Sequence, residues 1–246
     1  MFASLSPLLR YGDEVPFLVR NYGTHIVCLD KRLRLPVQVK GFVHAGTSAK
    51  LVGRNDEFHT DHTVSDFDCA TRDDYAEHNR NCPGDPLDLG HAFGSQFRRG
   101  SALQQHCIDV MTTVIPERPG MNRRTKQLCE GHLADLGDDS ATRVLFVTSG
   151  CGFDLHKPVQ WMQAGTQDGR PRGAAIPHWS YTHVLRETAT SVQMWALIYE
   201  NTAEAPEVQV LSSDELSARL GFQLCSNVQT VKGRKARSRA PRPWWE

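Results

Sequence analysis

Asp88-Leu89-Gly90-His91 sets an acid, a glycine and an imidazole side by side, and Asn122 follows His91 by 31 residues with Glu130 another 8 beyond. These are the groups that phosphodiester hydrolysis calls for. It needs a base to deprotonate water, a cation to neutralise charge building on the phosphate, and oxygen atoms to hold that cation. Taken singly, none of them is diagnostic. The chain has 11 histidines, and in any protein most histidines serve the surface or the core. Asn122, ahead of Arg123-Arg124, has the chemistry of an ordinary helix cap. The joint spacing is what carries information.

The flanking residues extend the pattern. Pro119-Gly120-Met121-Asn122 and Gln127-Leu128-Cys129-Glu130, downstream of Asp-x-Gly-His, together resemble the DNA/RNA non-specific endonuclease family. These are the endonuclease G-like nucleases of the ββα-metal, or His-Me finger, type. Val110 to Glu117 sits where the family has a strand-like Leu-Ser-Asn-(Val/Ile)-x-Pro-Gln, with Pro116 and Pro119 in register. Arg143 to Gly150 is similar to its Val-Tyr-Val-x-Thr-Gly strand, and Ala175 to Tyr181 to its Val-Pro-Thr-His-Phe-Phe strand. Upstream, Arg54 to Asp61 and then Asp74-Tyr75 parallel the segment that leads into the motif.

The resemblance implies an α+β fold, a central antiparallel sheet with a ββα-metal element from Asp88 to Glu130. His91 would lie at a strand or loop end facing Asn122 on a helix. It further implies His91 as the base, Asn122 as the main protein ligand of a water-rich Mg²⁺, and Glu130 as a carboxylate bonded to a metal-bound water. Asp88 would brace the turn. An amide oxygen with a carboxylate nearby suits a hard cation that keeps most of its waters.

Four departures point the other way. The family reads Asp-Arg-Gly-His, and Leu89 stands at its phosphate-binding arginine. Thr113 replaces the motif asparagine, Lys126 the tryptophan between Asn and Glu, and Ala134 stands about where secreted bacterial members carry another arginine. Leucine offers no donor, and losing one such donor typically costs roughly a hundredfold in rate. Arg98, Arg99, Arg123 and Arg124 are the candidates to hold a phosphate from another direction. Two functions therefore stand side by side. One is a weakened Mg²⁺-dependent endonuclease acting on DNA or RNA, a homodimer by family resemblance. The other is a catalytically impaired structural subunit among the proteins of a mitochondrial assembly such as the mitoribosome.

The rest of the chain must position these residues. Its 246 residues, 39% hydrophobic, can bury a sizeable core, and Lys+Arg and Asp+Glu are both 28. That balance departs from the basic character usual in proteins that coat nucleic acid. Seven cysteines form no Cys-x-x-Cys pair, which reads as reduced thiols in an intracellular compartment. No run is long enough to span a membrane. Met1 to Arg10 lacks acids, a composition compatible with mitochondrial import.

Alternation predicts paired strands at Tyr22–Val27 and Pro36–Val43 across a basic turn, and core strands at Arg143–Ser149 and Val192–Tyr199. The last is apolar on both faces and reads as central. Asp56 to Pro86 reads as a long surface loop, and Ser101 to Asp109 as a helix with Leu103, Cys107 and Val110 on one side. Ser213 to Leu220 reads as a capped helix ending at Gly221. Residues 1–231 read as the nuclease-like domain and 232–246 as a basic tail. From Val231 the run carries six basic residues and no acid before Glu246. It is either a solvated tail or a contact for RNA or protein, with Trp244 and Trp245 available to stack.

Overall fold

The computed structural model describes residues 17–48, 53, 57–167 and 169–221. In chain order the elements are β1 (Phe17–Asn21), β2 (Ile26–Asp30), β3 (Leu35–Phe42), α1 (Ala45–Ser48), α2 (Arg72–Asn81), β4 (Asp88–His91), α3 (Ala102–Ile108) and β5 (Val114–Glu117). A π-helical stretch, Met121–Lys126, runs directly into α4 (Gln127–Asp138). Then come β6 (Thr142–Gly152), four two-residue strands β7 (Gln160–Trp161), β8 (Thr166–Gln167), β9 (Arg170–Pro171) and β10 (Ala175–Ile176), and finally β11 (Trp179–Thr188), β12 (Val192–Glu200), β13 (Val208–Leu211) and α5 (Ser213–Leu220).

Seven strands form one antiparallel sheet in the order β1-β2-β3-β6-β11-β12-β13. Strand side chains alternate between faces, so each long strand serves two cores. Val184 of β11, Leu145 and Val147 of β6, and Trp195, Leu197 and Tyr199 of β12 join the main core, which also holds Ile115, Met121 and Leu133 of the β5–α4 segment. The opposite face sets Trp179 and Tyr181 of β11 and Ala196 and Ile198 of β12 against Leu216 of α5. A capping box at Ser212 and Glu215 starts that helix, and Gly221, with φ 72°, ends it as expected.

The α+β expectation holds, with four local differences. Tyr22 to His25 is the tight turn between β1 and β2, so the first region is a three-stranded meander rather than a pair. The basic turn is real and includes Arg34 at φ 58°. Inside the expected loop, α2 forms because Thr71 and Asp74 make a capping box and bury Tyr75. In α3 the inward residues are Gln105 and Ile108, whereas Leu103 is 70% exposed. β12 is next to the edge strand, not central, and its outer face is apolar because α5 covers it. The 231/232 boundary, the basic tail, Trp244, Trp245, Cys225, Met1 to Arg10 and Arg54 to Asp56 lie outside the described residues.

Candidate active site

β4 and β5 form a short antiparallel pair in the register Asp88↔Glu117, Leu89↔Pro116, Gly90↔Ile115 and His91↔Val114. Pro116, which has no N–H to give, is tolerated because this ribbon has only two strands. The ribbon is tied to the large sheet by Asn201, just beyond β12. Its side chain donates to the carbonyls of Pro116 (3.0 Å) and Pro177 (2.9 Å) and accepts from the Arg118 amide (2.7 Å).

His91 closes β4 and is buried. Its Nε2 donates to Oδ1 of Asp109 at 2.9 Å, and the Phe58 ring lies against the imidazole with centroids 4.7 Å apart. Gln105 donates to both oxygens of the same carboxylate, at 2.9 and 3.0 Å. Asp109 is the residue that ends α3. A buried acid at a helix C-terminus works against the helix dipole, so its place there requires the imidazole and amide it meets. Just beyond, the Thr113 hydroxyl donates to the carbonyls of Ile108 (2.6 Å) and Val110 (2.8 Å), turning the chain into β5. Thr113 is thereby spent inside the fold, as is the buried Ala134.

Asn122 lies in the π-helical stretch and Glu130 in α4, so that Asn122, Lys126 and Glu130 recur at four-residue spacing along one helical face. A π-turn inside an α-helix often marks a functional site, and here it carries the predicted ligand. The Asn122 Nδ2 donates to Asp88 Oδ2 at 3.1 Å, which leaves the amide oxygen as the atom able to take a cation. Asp88 also accepts two bonds from Arg123, at 2.8 and 2.6 Å. Asp88 thereby ties the ribbon to the asparagine and to an arginine from across the cleft.

His91, Asn122 and Glu130 line one cleft of about 230 Å³ together with Arg99, Arg123, Ser95, Gln96 and Gln127. Gly94 lets the Glu130 side chain lie close to the loop after β4, since a Cβ there would sit 2.5 Å from its carboxyl carbon. Gly90 does the same for Glu117, whose Oε2 would be 2.1 Å from such a Cβ. The motif glycine is therefore a packing requirement of the buried Glu117 carboxylate.

The four arginines separate. Arg99 and Arg123 face the cleft, and the Arg123 side chain is 68% exposed. Arg124, also exposed, lines with Arg123 a neighbouring groove of about 590 Å³ closed by Ala203 to Ala205. Arg98 does not join them. It is fully buried, donating to the carbonyls of Thr24, Phe42 and Phe97, with its guanidinium over the Phe93 ring. Burial pushes its pKa down to about 10. Arg98 bolts the 3₁₀ turn Ser95–Arg98 to the large sheet, and both terminal nitrogens of its guanidinium are already engaged. Leu89 packs against the main core.

Sequence reading missed Asp109 and Glu117. The signal for Asp109 was an acid closing a helix, and for Glu117 an acid in an otherwise apolar strand. Lys126 was noticed only as a departure. Its ammonium is buried and donates to Glu117 Oε1 and to the His91 carbonyl, both at 2.5 Å. Glu117 is fully buried, and burial raises its carboxyl pKa against the pull of Lys126.

A short antiparallel ribbon carrying Asp-x-Gly-His, packed against a helix that presents Asn and Glu, defines a ββα-type nuclease architecture. The chain belongs to the DNA/RNA non-specific endonuclease family, whose profile matches residues 6–231. The solved structure of EndoG in the EndoG/EndoGI complex is similar in fold, with a TM-score of 0.70 and 20% identity over 88% of this chain and 89% of that one. No curated protein sequence matches.

Proposed function

We propose that the chain is a Mg²⁺-dependent, non-specific DNA/RNA endonuclease of weakened activity, with His91 as the base. The observation that carries this reading is that His91, held from behind by Asp109, lines the same cleft as Asn122 and Glu130. The Asp109 carboxylate fixes the ring and stabilises the imidazolium formed when His91 takes a proton from water. The water oxygen then bonds to phosphorus as the P–O bond to the leaving strand breaks.

The donor set fits Mg²⁺. Among the described residues no three His, Cys, Asp or Glu side chains come together as a metal cage, whereas an amide oxygen and one carboxylate border a cleft with room for water. Asn122 would hold the ion and Glu130 one of its waters. When bound, the ion supplies positive charge beside the phosphate and the leaving oxygen. Arg99 and Arg123 hold the phosphate, and Arg124 extends that contact along the strand. The test is Mg²⁺-dependent degradation of plasmid and RNA by pure protein, with His91→Ala as the control. Equal cleavage by that variant overturns the assignment, and unchanged Mg²⁺ affinity in Asn122→Ala removes the ligand.

One observation favours a second reading. Leu89 is half-buried against the core and carries no polar group, so no donor stands beside His91 on β4. On that reading the chain is a catalytically impaired structural subunit of a mitochondrial assembly such as the mitoribosome. It would act as a homodimer or joined to other proteins, with the basic tail on RNA or protein. Six described cysteines are free thiols, and no described helix is long and apolar enough to cross a membrane. The free thiols fit a reducing compartment. Copurification in a large particle supports this second role.

A further inference from the structure

Lys126 lies midway between Asn122 and Glu130 on one helical face, yet its ammonium is directed inward, and its side chain is only 3% exposed. From there it reaches three parts of the site. It donates to the carbonyl of His91 at the end of β4 and to Glu117 Oε1 at the end of β5, and it stands 3.9 Å from Glu130 Oε1 on α4. Ser180, from the large sheet, adds a longer contact to Glu117 Oε1 at 3.3 Å.

Stability is a poor explanation for this pair. Removing two charges from water costs several kcal/mol each, and apolar residues of similar volume commonly do as well or better. Glu117 Oε2 has no partner and is buried, a further cost that an apolar pair would not carry. What an apolar pair cannot do is bond the His91 carbonyl and attract Glu130 from one atom. The lysine and glutamate also occupy the two positions where the related pattern has tryptophan and glutamine, so two departures from that pattern meet in space.

We propose that Lys126 is a positioning residue, pinned by Glu117, that sets His91 and Glu130 at a fixed distance from each other across the cleft. The proposal rests on the nuclease reading for its use. The geometry it predicts can be tested without cleavage.

Three proteins separate the roles: the unmodified chain, Lys126→Met, and Lys126→Met with Glu117→Gln. Lys126→Met strands a buried carboxylate and lowers the melting temperature, whichever role is right. The double variant removes both charges and restores most of that loss. Positioning predicts that it nonetheless loses the slowly exchanging proton NMR line of His91 Nε2–H bonded to Asp109. It also predicts that kcat on plasmid falls about a hundredfold, as for a misplaced catalytic group, with KM within about threefold. A double variant with the native His91 line and native kcat overturns the proposal, since Lys126 would then serve only to neutralise Glu117. If the double variant does not fold, Glu117→Gln and Lys126→Met are compared below their melting temperatures. The amide oxygen introduced by Glu117→Gln still holds the ammonium on the His91 carbonyl and the line persists, whereas Lys126→Met loses it; a native His91 line in Lys126→Met overturns the proposal. If the unmodified protein cuts neither DNA nor RNA at any Mg²⁺ concentration, the nuclease reading fails while the NMR comparison still decides the positioning.

Discussion

The two faces of the large sheet are built from the same strands and follow different rules. Toward α5, Trp179, Tyr181, Ala196 and Ile198 meet Leu216 in an apolar cluster whose notable buried polar group is His183, bonded to Ser213 Oγ at 2.8 Å. Toward the β4–β5 ribbon, apolar packing surrounds His91, Asp109, Glu117 and Lys126, all buried and all paired. A protein that only needed to cover its sheet could have used the first solution twice. Buried ionisable pairs are costly to hold, and their concentration on one face marks where geometry matters more than stability.

The sharpest way to break this contrast is His91→Ala. Removing a general base typically costs about a hundredfold to ten-thousandfold, so a thousandfold loss in kcat, or about 4 kcal/mol of barrier, is expected where the variant is fully folded, beside a lower melting temperature because the buried Asp109 loses its imidazole partner. Leu216→Ala on the other face should lower stability alone. It empties a fully buried site and should cost roughly 3 to 4 kcal/mol of stability, with cleavage at 25 °C unchanged while the protein stays folded. A loss of activity in proportion to rate-limiting chemistry in Leu216→Ala, at full folding, would show that the two faces are coupled.

In the pH dependence of folding the two faces act alike. Burial lowers the His183 pKa from 6.5 to about 4, so the native state holds this imidazole neutral. Its contribution is fully present above pH 6.5. As pH falls toward 4 the unfolded chain gains a proton that the folded one does not, and stability is lost. The total is roughly 3 kcal/mol at one pKa unit per 1.4 kcal/mol. His25, lowered to about 3 by burial on the other side of the molecule, adds to the same trend. His183→Gln should remove only its own share, read as a flatter melting temperature between pH 6.5 and 4. An unchanged profile would mean that His183 is charged in the fold.

What was legible in sequence divides along the same line. β6, β12 and α5 announced themselves through alternation and caps, because covering a sheet is a local, periodic demand. The motif residues His91, Asn122 and Glu130 could be placed through spacing and resemblance. Asp109 could not, since it meets His91 through a helix end 18 residues away, and no periodicity marks that kind of contact. Arg98 was misjudged for a related reason: charge alone suggested a phosphate contact, while burial and three backbone carbonyls engage both terminal nitrogens of its guanidinium inside the fold. Capping box and all, α2 was hidden by its polarity, for only Tyr75, His78 and Asp74 face inward.

The smallest expected effect belongs to Leu89→Arg, and it tests whether the ribbon's departure from the family pattern can be undone. Strand alternation puts position 89 on the same side of β4 as His91, so an arginine there has the right general direction. It meets two obstacles. Leu89 packs against the core, and replacing it removes apolar burial that a guanidinium cannot restore. Asp88, its neighbour in the chain, already holds Arg123 and Asn122, and a second cation reaching it would loosen the amide that presents its oxygen to the cleft. About a tenfold gain in cleavage, equivalent to about 1.4 kcal/mol, is therefore expected in place of the hundredfold or more that one such donor can supply. Adding Arg123→Gln should then tell the donors apart. If Arg123 carries the phosphate in the natural chain, the single Arg123→Gln variant loses activity and the double variant recovers part of it. Should Arg123→Gln leave KM and kcat untouched, the phosphate is held from Arg99 or not at all, and the structural reading gains.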